Sequence, residues 1–280
     1  MMLSTSNIDL RDSHIMAIVN ITPDSFYSGS RTISSEDITR RVERVVAEGA
    51  TIVDIGGYSS RPNAEDISLE EEWSRVRRGL EAVAKVDAGV VVSVDSFRAE
   101  VIRRAVEEFG EVIVNDISAG EQDAEMLGVV ARYALPYVAM HMRGTPQTMQ
   151  SLTEYEGGVV ADVVSYFERR VEEIAKAGIA KERIILDPGF GFAKSVEQNY
   201  ELLRGLDSLR TLGYPILVGL SRKSMIYKPL DITPEESLPG SLAFAWEVLR
   251  GGSAILRVHD VRESAQILKL NNIYRNDRGQ

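Results

Sequence analysis

Short runs of Val, Ile and Leu recur along the chain, separated by stretches whose apolar residues fall at helical spacing. The runs lie at 15–20, 51–55, 90–94, 112–115, 137–141, 183–187, 215–219 and 254–258. Most lack strict apolar/polar alternation, which predicts strands buried on both faces. Between them, Ile38, Val42, Val45 and Val46 share one helical face, and Gly49 stands where a helix stops. Ser68 with Glu71 reads as a capping box ahead of Leu69, Trp73, Val76 and Leu80. The spacing repeats from Val101 to Phe109 before Gly110 and from Val160 to Ile174 before Gly178. It returns after Ser195 and Gln198, a second capping box, then over Leu242–Leu249 and Val261–Leu268. Eight strand–helix units in 280 residues predict an α/β fold, a single (β/α)₈ TIM barrel with its active site at the C-terminal ends of the strands. No linker, low-complexity tract or shift in composition divides the chain, so one domain over 1–280 is expected.

Composition narrows the possibilities. A formal charge of −10 argues against nucleic acid or an anionic membrane as the main partner. The chain has no cysteine, which excludes disulfides and thiolate metal sites. The opening MMLSTSNIDLRDS carries no basic-then-apolar leader, and a cytoplasmic protein is the expectation.

In a barrel the carboxyl ends of all strands open on one face, so polar residues far apart in sequence converge there. Asn20, Asp54, Asp95, Asn115 with Asp116, His141 and Asp187 close the first six runs. Ser221, Arg222 and Lys223 follow the seventh, and Arg257 with His259 the eighth. Asp187 opens DPGFGF, where Pro and two Gly make a tight loop past the strand. Singly, each has a plain explanation; Asp95, for instance, could cap the helix beginning near Arg98. Together they suit a ligand. Asp and Asn on a cavity floor match a flat heterocycle with N–H donors and carbonyl acceptors. Lys223, Arg257 and His259 match a polyphosphate or carboxylate. Asn20 is a neutral oxygen donor, suited to Mg²⁺ shared with a phosphate. His14, ahead of the first strand, is expected on the opposite face. The segments 21–32 and 56–66, rich in Gly, Pro, Ser and Arg, read as surface connections or as lids over a bound substrate.

In order, VNITPDSF, DIGGYSSRP, NDISAG, DPGFGF, GLSRKS and RVHDV resemble the dihydropteroate synthase family over about 15–270. The resemblance implies a pterin-binding barrel that joins p-aminobenzoate to 6-hydroxymethyl-7,8-dihydropterin pyrophosphate in folate biosynthesis, releasing pyrophosphate with Mg²⁺. It implies a pterin pocket of Asp95, Asn115, Asp187, Lys223 and Arg257, with Asp187, Lys223 and Asp95 as the catalytic groups. Asn20, Arg257 and His259 would hold the diphosphate, Asn20 through the metal, and Asp54 would support them. Phe26, Ser60, Arg61, Pro62, Phe192, Lys223 and Ser224 would bind p-aminobenzoate, a site for which sulfonamides would compete. A homodimer is implied as well.

Some positions depart from the family pattern. The second-loop motif commonly reads GGESTRPG, whereas Tyr58, Ser60 and Asn63 stand here; Tyr58 replaces a carboxylate. Tyr27, Ser28 and Ala193 also differ, which leaves sulfonamide sensitivity open. Three rivals stay in view: a pterin-binding methyltransferase, which has no diphosphate to hold; an aldolase-like barrel using Lys223 as a Schiff-base nucleophile, against which its placement in a polar loop speaks; and a non-catalytic pterin-binding paralogue.

Overall fold

All eight strands form in one parallel sheet: β1 (His14–Asn20), β2 (Ile52–Gly56), β3 (Val91–Asp95), β4 (Ile113–Asp116), β5 (Tyr137–Met140), β6 (Ile184–Asp187), β7 (Leu217–Val218) and β8 (Ile255–Val258). Their order is β6-β5-β4-β3-β2-β1-β8-β7. A parallel bridge between Leu186 and Ile216 joins the two ends and closes the barrel. The structure, a computed structural model, describes residues 2–22, 34–59, 66–86 and 89–276.

Among these residues the helices are α1 (Ser35–Ala47), α2 (Leu69–Val86), α3 (Ala99–Phe109), α4 (Met126–Arg132), α5 (Val159–Lys176), α6 (Val196–Arg204), α7 (Leu206–Arg210), α8 (Ser224–Leu230), α9 (Leu238–Gly251) and α10 (Val261–Asn276). The capping box at Ser195 is complete, with Gln198 returning the bond. At Ser68 only half forms: Ser68 Oγ accepts the Glu71 N–H, while the Glu71 carboxylate turns to Arg75. The helical stretch after β6 is split by Gly205, where the backbone leaves helical geometry. Neither α4 nor α8 shows in the apolar spacing, because at seven residues each spans about two turns.

Strand side chains alternate between two faces. Ile15, Ala17 and Val19 of β1 point outward and join one large core with Ile38, Val42 and Val45 of α1; the other strands repeat this with their helices. Met16, Ile52, Val91, Ile113, Val138, Ile185, Leu217 and Ile255, one from each strand, point inward and form a separate core. All eight are at most 2% exposed, and Ile8 and Leu10 of the N-terminal segment pack against them. The barrel is thereby filled across its whole width on that level. His14 lies at the start of β1, its ring bonded to Asp9 O and Thr51 Oγ1, on the structural face as expected. No helix among the described residues is long and apolar enough to cross a membrane.

Candidate active site

Counting in twos from the inner ring leads to the mouth of the barrel. Met16 is followed by Ile18 and Asn20, Ile52 by Asp54 and Gly56, and Val91 by Ser93 and Asp95. Asn115 follows Ile113, Met140 follows Val138, Asp187 follows Ile185, and Arg257 follows Ile255. One register of alternation puts the candidate residues of six strands on the inner face.

Arg257 is the hub. Its Nε donates to Asp54 Oδ2 at 2.7 Å and its Nη2 to Asp95 Oδ2 at 2.6 Å. Asp54 is fully buried and also accepts from Asn115 Nδ2 at 3.2 Å. Its Oδ1 is buried without a partner among the described residues. Burial works against the Arg257 charge, yet Asp54 and Asp95 outweigh it and hold the guanidinium more firmly protonated than usual. Burial pushes the Asp95 carboxyl up while Arg257 pulls it back. Asp95 caps no helix: Ser96 Oγ accepts the Arg98 N–H and Asp123 the Ala99 N–H.

Asn20 meets this group over a glycine. A Cβ on Gly56 would stand 2.8 Å from Asn20 Oδ1 and 3.6 Å from Asp95 Oδ2, so the missing side chain leaves room where two oxygen donors approach.

On the other side, Asp187 Oδ1 accepts the Gly189 N–H at 2.8 Å. Burial raises its pKa, opposed by Lys223, that N–H, Arg257 and Lys194. Gly189 has φ +67°, and a Cβ there would lie 2.0 Å from His141 O, so only glycine fits. Lys223 Nζ donates to Phe190 O and stands 4.9 Å from the Phe192 ring centre, a cation–π contact. Lys223 lies in the loop after β7, as expected, but its ammonium is withdrawn from solvent: burial lowers its pKa to about 8, with Asp187 opposing. Ser224, next in the chain, opens α8.

His259 is held by Ser221, whose Oγ accepts the His259 backbone N–H at 3.2 Å and bonds ring Nδ1 at 3.1 Å. The two bonds fix the orientation of the imidazole. Burial, then Arg257 and Arg222, lower the His259 pKa to about 4. Arg222, in left-handed backbone at φ +58°, forms a two-pronged ion pair with Asp260 and so ties the seventh loop to the eighth. Ile117, Met140, Met142, Met149 and Ala193, with Phe97 and Phe192, make an apolar wall beside these polar groups.

Two expected members turn away. Asp116 and His141 have the outward register: Asp116 accepts from Ser118, Gly120 and Tyr137 OH, and the His141 ring packs against Tyr166 and takes Lys194. Phe26, Ser60, Arg61 and Pro62, with Tyr27, Ser28 and Asn63, lie outside the described residues. At Tyr58 the contact is aromatic: the ring meets Phe97 edge-on at 5.1 Å, lies 5.5 Å from Arg98 Cζ, and its OH accepts from Gln147 Nε2 at 3.4 Å. Arg98 pairs with the fully buried Glu72 at 2.9 Å and with Asp66 at 3.3 Å. Lys194, 5% exposed, has no part assigned to it from the sequence.

The pattern that describes pterin binding enzymes matches residues 16–259. The dihydropteroate synthase of Haemophilus influenzae is 45% identical over 264 residues, 94% of each chain. A Yersinia pestis dihydropteroate synthase solved with a sulfonamide drug complex superposes with a TM-score of 0.90 at 36% identity, covering 99% of this chain and 100% of that one. The Xanthomonas albilineans dihydropteroate synthase solved with 4-aminobenzoic acid gives 0.86 at 37% identity, covering 95% and 94%. By the polar mouth of its barrel and by these likenesses, the chain belongs to the dihydropteroate synthase family of pterin-binding enzymes.

Proposed function

We propose that this enzyme condenses p-aminobenzoate with 6-hydroxymethyl-7,8-dihydropterin pyrophosphate, giving 7,8-dihydropteroate and pyrophosphate. The observation that carries the reading is the meeting of Asp95, Asn115 and Asp187 with Lys223, Arg257 and His259 at one end of the barrel, beside an apolar wall. The carboxylates and the carboxamide suit the hydrogen-bonding edge of a pterin, and the wall around Met140 and Ile117 suits its faces. Phe192, Lys223 and Ser224 would meet p-aminobenzoate, for which sulfonamides would compete.

The C–O bond between the pterin methylene and the diphosphate breaks, and the arylamine nitrogen forms the new C–N bond, then loses its proton. The amine is itself the nucleophile, so no covalent enzyme intermediate is needed. A dissociative path builds positive charge on the pterin, which the buried Asp187 carboxylate favours, and negative charge on the leaving group, which Arg257 and His259 favour. The Lys223 charge favours the Asp187 carboxylate and its ammonium meets the Phe192 ring, so Lys223 would orient both substrates.

Oxygen donors are the right kind for Mg²⁺, and Asn20 Oδ1 faces cleared space above Gly56. No cluster of three His, Asp or Glu side chains among the described residues suits a cation on its own, in keeping with a metal shared with phosphate. Asn20 would hold Mg²⁺, which when bound neutralises the diphosphate. A cytoplasmic homodimer belongs to the same reading, and the exposed Leu270, Ile273 and Tyr274 of α10 are apolar surface for a partner copy. The test is incubation with dihydropterin pyrophosphate, Mg²⁺ and labelled p-aminobenzoate. Labelled dihydropteroate and released pyrophosphate in equal amounts are expected, and neither product would leave a binding protein.

A further inference from the structure

Lys194 is buried, and its ammonium donates at 3.0 Å to each of His141 Nδ1, Gly189 O and Phe192 O. These three acceptors use all three of its donors. They also close a circuit around Asp187. The His141 backbone N–H donates to Asp187 O at 2.9 Å, the His141 ring accepts from Lys194, Lys194 grips Gly189 O, and Gly189 N–H donates to Asp187 Oδ1. The Phe192 carbonyl is caught in the same grip, which sets the ring that faces Lys223.

A buried ammonium is costly unless its charge is answered. Among the described residues no carboxylate lies within ion-pair distance of Lys194. The anion that favours its charge is Asp187, and the effect is mutual. The neighbours pull the other way: burial, Lys223 from the seventh loop and Arg143 from the fifth loop lower its pKa to about 7, and His141 stays neutral in its apolar seat. In mildly acid solution Lys194 therefore carries its charge beside Asp187.

We propose that Lys194 is a positioning residue that holds Asp187, in place and as an anion, for the pterin. This rests on the pterin reading given above. The geometry supplies the clamp, through the Gly189 and Phe192 carbonyls and the His141 ring, and the charge of the same ammonium adds to that of Lys223 and Arg257 in favouring the carboxylate.

The test measures binding of 6-hydroxymethylpterin by fluorescence quenching from pH 4 to 7, in the wild type, Lys194→Met, Lys194→Gln, Lys194→Arg and His141→Gln, each checked for folding by circular dichroism. Without the lysine charge Asp187 takes up a proton more readily, so the acid limb of binding moves up by about one pH unit in the Met and Gln variants. It stays in place in Lys194→Arg and in His141→Gln, which keep the charge. Affinity lowered equally at every pH, with the limb unmoved, overturns the proposal. Should neither neutral variant fold, ¹⁵N NMR of the Lys194 amine, assigned by its loss in Lys194→Arg, serves instead, because coupling is reciprocal. The amine then loses its proton at lower pH in Asp187→Asn than in the wild type, and an unchanged titration overturns the proposal. A limb that shifts in the neutral variants, with a wild type that binds pterin but forms no dihydropteroate, removes the reaction and keeps Lys194 in this role. A wild type that turns over with an unmoved limb removes only the role.

Discussion

Arg257 on β8 reaches past β1 to bond Asp54 on β2, Nε to Oδ2 at 2.7 Å. The same guanidinium holds Asp95 of β3, so one side chain joins strands that share no ladder with its own. Among the described residues no other cation pairs with the fully buried Asp54. Asp54→Ala is expected to cost about 3 kcal/mol of stability, since it leaves Arg257 short of a counter-charge and Asn115 short of an acceptor. Urea unfolding with an unchanged m value checks this, and a loss within error would mean that the pair stabilises nothing.

Asp187→Asn keeps an oxygen for the Gly189 N–H and gives up the charge. Turnover is expected to fall roughly a hundredfold or more while the urea midpoint stays near that of the wild type. Steady-state kinetics beside the unfolding curve decide it; wild-type turnover would reject the electrostatic role.

Gly189 and Gly213 both have left-handed backbone, φ +67° and +74°, but differ in what a methyl group would meet. At Gly189 it would strike His141 O; at Gly213 its nearest neighbour would be Lys181 Nζ at 3.7 Å. Gly213→Ala should cost about 1 kcal/mol, the conformational penalty alone. Gly189→Ala should cost several times more and abolish pterin binding, measured by thermal melting and fluorescence titration.

His259 is held neutral, its pKa lowered from 6.5 to about 4 by burial and by Arg257. The unfolded chain therefore binds this proton more readily than the folded one, and stability must rise with pH across that interval. The histidine's share is complete above about pH 6.5 and lost as pH falls toward 4. Asp187 and Asp116, with carboxyls pushed up by burial, act in the opposite sense, so the variant comparison is what isolates the imidazole. His259→Gln should narrow the stability difference between pH 7 and pH 4.5 measured in urea. An unaltered difference would show that the ring titrates normally in the fold.

The barrel was legible because strands buried on both faces leave continuous apolar runs, and every predicted run contains its observed strand to within a residue. Run 215–219 shrank to Leu217–Val218, as Pro215 has no N–H for a ladder. Most of the mouth was legible too, since six strands carry a polar residue that faces inward near their carboxyl ends. What could not be read from the residue types was the face each one takes. Asn115 and Asp116 are neighbours of like chemistry, yet one meets Asp54 inside and the other Tyr137 outside. That follows from counting in twos from the inner ring, which needs the register. Lys194 escaped for a different reason: its partners are two backbone carbonyls and a ring nitrogen, none with a signature in sequence.

The apolar ring from Met16 to Ile255 makes the chamber a cul-de-sac. Among the described residues the ring closes the barrel's axis, which leaves the polar mouth as the end open to a ligand. On the proposed function, both substrates would enter by that polar mouth. On the same reading the joined product would leave by that end as well.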